Sequence, residues 1–75
     1  MIYQIHQQSI EEPDRTELVA QGDPEEARKG LSGYELTNFL INWFNDVQQR
    51  RELKVGYQWL MCNEKSDMFV WAVPK

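Results

Sequence analysis

The end of the chain decides the fold, because residues 56–75 carry the sequence GYQWLMCNEKSDMFVWAVPK. Two apolar, β-favouring runs, residues 57–62 and 68–73, flank the polar segment 63–67, and this pattern predicts a β-hairpin. Both faces of the hairpin are apolar, whereas a small sheet normally buries one face and exposes the other to water. The second apolar face therefore needs a cover from the chain itself or from a partner.

The register of this hairpin decides which residues share a face. An odd number of loop residues pairs Trp59 with Trp71. It also pairs Met61 with Phe69, so that one face is aromatic and the other is aliphatic. A four-residue loop instead pairs Trp59 with Ala72. Because the sequence has no Asn-Gly or Asp-Gly pair that would favour a two-residue turn, we expect the odd-length loop.

The N-terminal part of the chain predicts a second and weaker hairpin. Residues 1–9 begin with β-favouring side chains and turn polar at Gln7, as expected of a strand that leaves the core. Residues 11–15 have the composition of a turn, and residues 16–21 then return as a second strand. If residues 16–21 are not a strand, residues 10–31 form an irregular segment that leads into a helix.

Two helices are predicted between the hairpins. Residues 23–26, DPEE, combine an N-cap acid, a proline and first-turn acids, so a short helix should run through residues 27–29. Residues 32–35, SGYE, match the capping box, which starts the main helix near Gly33. Arg50 and Arg51 end that helix, and Gly56 leads into the C-terminal hairpin. The apolar stripe of the main helix consists of Leu36, Phe39, Leu40, Trp43, Phe44 and Val47.

This order of elements predicts an α+β fold, in which a small antiparallel sheet carries one main helix packed across one face. The order is β-β-α-β-β, or β-α-β-β if residues 16–21 are not a strand. With 75 residues the chain has room for a single domain, residues 1–75, with a small core.

Composition limits the class of protein. The net charge of −4 argues against a general nucleic-acid or membrane binder. The apolar runs are far shorter than the ~18 residues of a membrane span. A single cysteine, Cys62, excludes an internal disulfide and a cysteine-based zinc site, so we expect a reducing, cytoplasmic compartment.

Charge is divided unevenly along the sequence. Residues 1–26 contain seven acidic residues and one basic residue, whereas residues 27–75 contain five acidic and seven basic residues. The only basic cluster consists of Arg50, Arg51 and Lys54. As a phosphate contact this cluster would be short and diluted by Glu52, so helix capping and solvation explain it more simply.

No catalytic, cofactor or metal site is predicted. His6 is the only histidine and has no Cys or Asp partner at the spacing of a metal site or a triad. Cys62 lies in an apolar strand, where a thiol is usually buried and inert. Gly30 and Gly33 lack the residues that complete a phosphate-binding loop. We therefore expect no enzyme, no cofactor and no metal.

The spare face of the C-terminal hairpin gives the leading functional hypothesis. Either residues 10–31 or the first hairpin fold over it, or it contacts another molecule. Aromatic residues and Met dominate interface energies, so we expect a non-enzymatic protein-interaction domain that forms a homodimer or binds another protein. The predicted contact residues are Tyr57, Trp59, Met61, Phe69 and Trp71.

Two other hypotheses use charged residues. A nucleic-acid-associated regulator would combine the basic cluster, Arg50, Arg51 and Lys54, with base stacking on Tyr57 or Trp59, although the acidity of the chain counts against it. An inhibitor would use the acidic segment, residues 11–26, as a decoy for a basic partner.

Overall fold

A computed structural model of the protein describes residues 1–27, 30–65 and 69–72. The predicted end of the first helix and both predicted ends of the last strand, residues 68 and 73, lie outside the described residues. The elements are β1 (Tyr3–Ser9), β2 (Thr16–Gly22), α1 (Pro24–Ala27), α2 (Gly33–Arg50), β3 (Tyr57–Asn63) and β4 (Phe69–Ala72). The α+β fold is therefore confirmed, with the strand at residues 16–21 present as β2.

The four strands form one antiparallel sheet in the order β2-β1-β3-β4. Strands β1 and β3 are neighbours in the middle, and each hairpin adds one outer strand. The N-terminal hairpin therefore widens the sheet and does not fold over the second face of the C-terminal hairpin.

Both helices begin where the sequence predicts. The Asp23 side chain accepts a hydrogen bond from the Glu26 N–H at 3.1 Å, and the Ser32 hydroxyl accepts one from the Glu35 N–H at 3.2 Å. Each bond satisfies a backbone donor that the first helical turn leaves free. Just before β3, Gly56 has a φ of 79° that favours glycine, and it turns the chain into the strand.

The core lies between α2 and one face of the sheet. Burial alternates along the central strands, so that the odd-numbered residues of β1 and β3 face the helix. Ile41 falls outside the helical stripe and is 42% exposed. The buried apolar residues are Tyr3, Ile5, Leu40, Phe44, Val47, Trp59 and Met61.

Strand β1 does not leave the core at Gln7, and that prediction is wrong. Gln7 and Ser9 are both buried on the helix side of the sheet. The Gln7 amide donates a hydrogen bond to the Glu52 carbonyl, and the Ser9 hydroxyl accepts one from the Glu12 N–H at 3.0 Å. Buried polar groups are tolerated where they find such partners, so these two residues continue the core-facing side of β1.

The hairpin register differs from the expected odd-length one and has the strand pairs of the four-residue-loop alternative. Trp59 lies opposite Ala72, Met61 lies opposite Val70, and Leu60 lies opposite Trp71. A helix is about 10 Å wide and strands are about 4.8 Å apart, so one helix covers roughly two strands. In the observed register, the large core residues Trp59 and Met61 belong to β3, which lies beneath α2. At the positions of β4 that share this face, the sequence has the smaller residues Val70 and Ala72.

Candidate functional site

The sheet face opposite α2 is the candidate site, and we call it the open face. Cross-strand partners in an antiparallel sheet share a face, so the pairing assigns its residues. Strands β1 and β2 contribute Gln4, His6, Gln8, Thr16, Leu18 and Gln21. Strand β3 contributes Gln58, Leu60 and Cys62, and Phe69 and Trp71 of β4 occupy register positions of the same face.

Both helices lie on the other side of the sheet. Helix α2 contributes to the core, and α1 contacts α2. Pro24, at the start of α1, lines a small apolar cavity of about 160 Å³ together with Phe39 and Trp43 of α2. Within the described ranges, therefore, neither helix covers the open face.

The open face is uncharged. Along the described strands, none of its positions holds Asp, Glu, Lys or Arg, although these residues make up 27% of the sequence. Charged side chains are depleted in the centres of protein interfaces, because burying an unpaired charge is costly. The composition of this face is therefore typical of a surface that another protein covers.

Side-chain amides form a hydrogen-bonded stripe across the open face. The Gln58 amide donates to the Gln8 side-chain oxygen at 3.1 Å, and the Gln8 amide donates to the Pro13 carbonyl at 3.0 Å. At the other end of β1, the Gln4 amide donates to the Gln21 side-chain oxygen at 3.5 Å. Because these amides already have partners within the chain, covering the stripe would cost less than burying free amides.

His6 is the only titratable residue of β1 on this face, and it lies half-buried between Leu18 of β2 and Leu60 of β3. Its Nε2 atom lies 3.0 Å from the Gln4 side-chain oxygen, an acceptor that favours the tautomer with the proton on Nε2. Its Nδ1 atom is buried and has no hydrogen-bond partner among the described residues. Burial lowers the pKa of His6 below its ordinary value of 6.5, so the ring is neutral at neutral pH.

The β3 side of the open face is apolar. Leu60 and Cys62 are half-buried, and across the sheet Leu18 of β2 is 52% exposed. Burial raises the pKa of the Cys62 thiol, which therefore stays protonated and uncharged at neutral pH. Apolar side chains thus flank the polar stripe on both sides.

The structure divides the predicted contact residues between the two faces of the sheet. Trp59 and Met61 are only 5% and 0% exposed, because they form the core beneath α2. Tyr57 is half-buried at the start of β3, and its ring lies 5.5 Å from the Lys54 ammonium. Phe69 and Trp71 occupy open-face register positions. The predicted single aromatic surface is therefore corrected: two of its five residues are core residues.

Sequence reasoning missed the β1 and β2 part of the open face. Gln4, His6 and Gln8 alternate with core residues, and Leu18 lies beside them across a β-bulge in the β1–β2 pairing. The period-two alternation of β1 was a visible signal for this face. The buried polar residues later in the strand obscured it.

The basic cluster is largely paired. The Arg50 guanidinium lies 3.1 Å from the Asp46 carboxylate, and the Lys54 ammonium forms an ion pair with Glu17. The hydrogen bond to Glu17 raises the pKa of Lys54. Arg51 is exposed next to these pairs. Two of the three cations therefore already have carboxylate partners, which weakens the cluster as a phosphate contact.

The acidic segment also contains internal ion pairs. Glu12 lies 2.9 Å from Arg15, and Glu17 pairs with Lys54. Asp23 and Glu25 each lie 3.2 Å from the amino group of Met1. The structure thus uses several of these carboxylates to join elements, which reduces the charge they can offer to a basic partner.

In the described part of the chain, no three His, Cys, Asp or Glu side chains are grouped so that they could hold a metal ion. None of the helices described has the length and apolar character needed to cross a bilayer. Comparison with protein families, curated proteins and solved structures finds no match to this chain. Function must therefore be inferred from the geometry of the fold.

Proposed function

We propose that this chain is a non-enzymatic, intracellular protein-interaction domain that self-associates through the open face of its sheet. The observation that carries the proposal is the uncharged composition of that face in an acidic protein. A monomeric domain would ordinarily expose charged residues among the polar ones on the face opposite its helix. Here apolar residues and hydrogen-bonded amides occupy that face.

A second copy of the chain is the partner that this surface fits best. The net charge of −4 opposes contact between copies through acidic surfaces, whereas two open faces can meet without bringing charged groups together. A partner with a charged surface would find no complementary charge there. In a symmetric dimer the same patch is used twice, so an uncharged patch brings no like charges against each other.

The size of the face predicts how tight the association is. Four strands about 4.8 Å apart and roughly 20 Å long make a face of about 400 Å² in plane. Standard interfaces bury about 800 Å² of accessible surface per partner. Side chains make the accessible area of the open face larger than its area in plane, but this increase makes up only part of the difference. We therefore expect a reversible dimer, in which two sheets pack about 10 Å apart with the helices outside.

The intracellular compartment is supported by the chemistry of Cys62. It is a free, half-buried thiol within the proposed contact. A reducing compartment keeps such a thiol from oxidation, which would place a polar group on the open face.

Light scattering over a range of concentrations tests the proposal, with two matched variants. Leu60→Lys places a charge in the open face, whereas Ile41→Lys places the same charge on the exposed side of α2. The wild type and Ile41→Lys should form dimers, and Leu60→Lys should remain monomeric with an unchanged circular dichroism spectrum. A wild type that stays monomeric up to millimolar concentration would disprove self-association.

A further inference from the structure

We infer that protonation of His6 switches the self-association: copies associate while the imidazole is neutral and separate when it becomes charged. This inference rests on the proposed function, because it assigns a control element to the same open face. It is carried by the position of His6, the hydrogen bonds of its ring and the groups that surround it.

Among the described residues of β1, β2 and β3, the neighbours of His6 on the open face carry no charge that could stabilise an imidazolium. On β1 its open-face neighbours are Gln4 and Gln8, and across the strands it meets Leu18 and Leu60. The titratable side chain that the neighbouring described strands bring to this face is the Cys62 thiol, which is uncharged in acid as well as at neutral pH. A protonated His6 would therefore be the one full charge on these three strands of the open face.

The hydrogen bonds of the ring oppose protonation as well. In the neutral ring, Nε2–H donates to Gln4 and the buried Nδ1 carries a lone pair. Protonation converts Nδ1 into a donor, and the described part of the chain places no acceptor within reach of its present position. An unsatisfied buried donor is costly, so the charged ring must turn toward water. Its new position would place a hydrated cation above the middle of the sheet.

Such a cation is incompatible with a covered face. In a symmetric dimer each copy brings its own His6 to the same interface, so protonation introduces two like charges into an uncharged contact. The pKa of His6, which burial already lowers in the single chain, should fall further when a second copy covers the ring. The switch therefore operates below pH 6.5, where the free chain takes up the proton more readily than the dimer does.

Surface carboxylates would produce the opposite trend. Acidification reduces the negative charge of the chain, and weaker mutual repulsion would strengthen a dimer of acidic chains. Weakening of the dimer in mild acid is thus specific to a group that gains charge within the contact. Because His6 is the only histidine, its C–H resonances need no assignment by mutation.

The first experiment measures the dimer dissociation constant by light scattering at pH 7.5 and pH 5.0, with circular dichroism to confirm the fold. If dissociation is linked to the uptake of two protons, one by each His6, the dissociation constant can rise by up to about 100-fold for each pH unit of acidification. Between pH 7.5 and pH 5.0 we expect at least a tenfold rise. His6→Gln, whose side chain is neutral at both pH values, should dimerise at least as tightly at pH 5.0 as at pH 7.5. Equal dissociation constants for the wild type, or a His6→Gln variant that dissociates in acid like the wild type, would overturn the switch while leaving the proposed function intact.

The second experiment uses the wild type alone, so it does not depend on the folding of a variant. The imidazole is titrated by NMR at protein concentrations below and above the dissociation constant. The inference predicts a titration midpoint that moves to lower pH as the concentration rises. A midpoint that is independent of concentration in a protein that dimerises overturns the switch. Absence of a dimer at every pH overturns the proposed function and the switch with it.

Discussion

Trp59 lies opposite Ala72 in the C-terminal hairpin, so these two positions share the core side of the sheet, whereas Leu60 and its partner position belong to the open face. Trp59 is 5% exposed beneath α2, whereas its neighbour in sequence, Leu60, is half-buried on the other side of the sheet. Consecutive residues of one strand therefore have different roles: the first stabilises the fold, and the second belongs to the proposed contact surface.

This difference predicts contrasting effects of two alanine substitutions. Trp59→Ala should destabilise the fold by ~3–5 kcal/mol, because it opens a cavity in the core. Leu60→Ala should cost about 1 kcal/mol in the single chain, since the residue is half-buried on a face that neither described helix covers. Urea unfolding of dilute samples measures both. Equal losses of stability would contradict the division of the two faces.

The N-cap of α2 gives a second prediction. Ser32→Ala removes the acceptor of the Glu35 N–H and should lower the free energy of unfolding by about 1 kcal/mol. Asn38→Ala, on the exposed side of the same helix, is the control and should leave stability unchanged or slightly raised, because alanine favours helix. Thermal unfolding followed by circular dichroism distinguishes them. A Ser32→Ala variant as stable as the control would show that the cap contributes nothing.

Asp23 gives a prediction for acid pH. The backbone hydrogen bond from Glu26, followed by the contact with the Met1 amino group, holds the pKa of Asp23 below its ordinary value of 3.8. Its stabilising effect is therefore present above pH 3.8 and is lost as the pH falls through the lower folded-state pKa. Asp23→Asn should flatten the fall of stability in this range, as measured by unfolding between pH 5 and pH 2. An unchanged pH profile would exclude Asp23 as a contributor.

The pairing of the basic cluster predicts weak interaction with nucleic acid. Because Arg50 is paired with Asp46 and Lys54 with Glu17, single-stranded DNA or RNA should leave the tryptophan fluorescence unchanged even at low salt. Glu17→Gln frees Lys54 and serves as a sensitised comparison. Saturable quenching of the wild type, lost on charge reversal at Arg51, would favour the nucleic-acid hypothesis instead.

Local signals in the sequence predicted the elements of the fold. The cap at Ser32 located the start of α2, and Asp23 with Pro24 located α1. Strand β2 followed from its β-favouring residues between two turns. These features depend on neighbouring residues, so a short stretch of sequence carries the whole signal.

Long-range contacts determined what the sequence could not show. Gln7 is buried because its amide reaches the Glu52 carbonyl, 45 residues further along the chain. The register of the C-terminal hairpin follows from the part of the sheet that α2 covers, since no turn motif in residues 63–67 specifies it. The open face combines residues from both hairpins, and so became visible only when β1 was placed beside β3.

Reactivity of Cys62 tests the central claim most directly, because the single thiol of the chain lies on the open face. Its rate of alkylation by iodoacetamide is measured in the wild type at protein concentrations on both sides of the dissociation constant obtained by light scattering. The account predicts that the rate falls as the dimer forms, since the second copy covers the thiol. A rate that stays constant while light scattering reports a dimer would show that the copies meet through another surface.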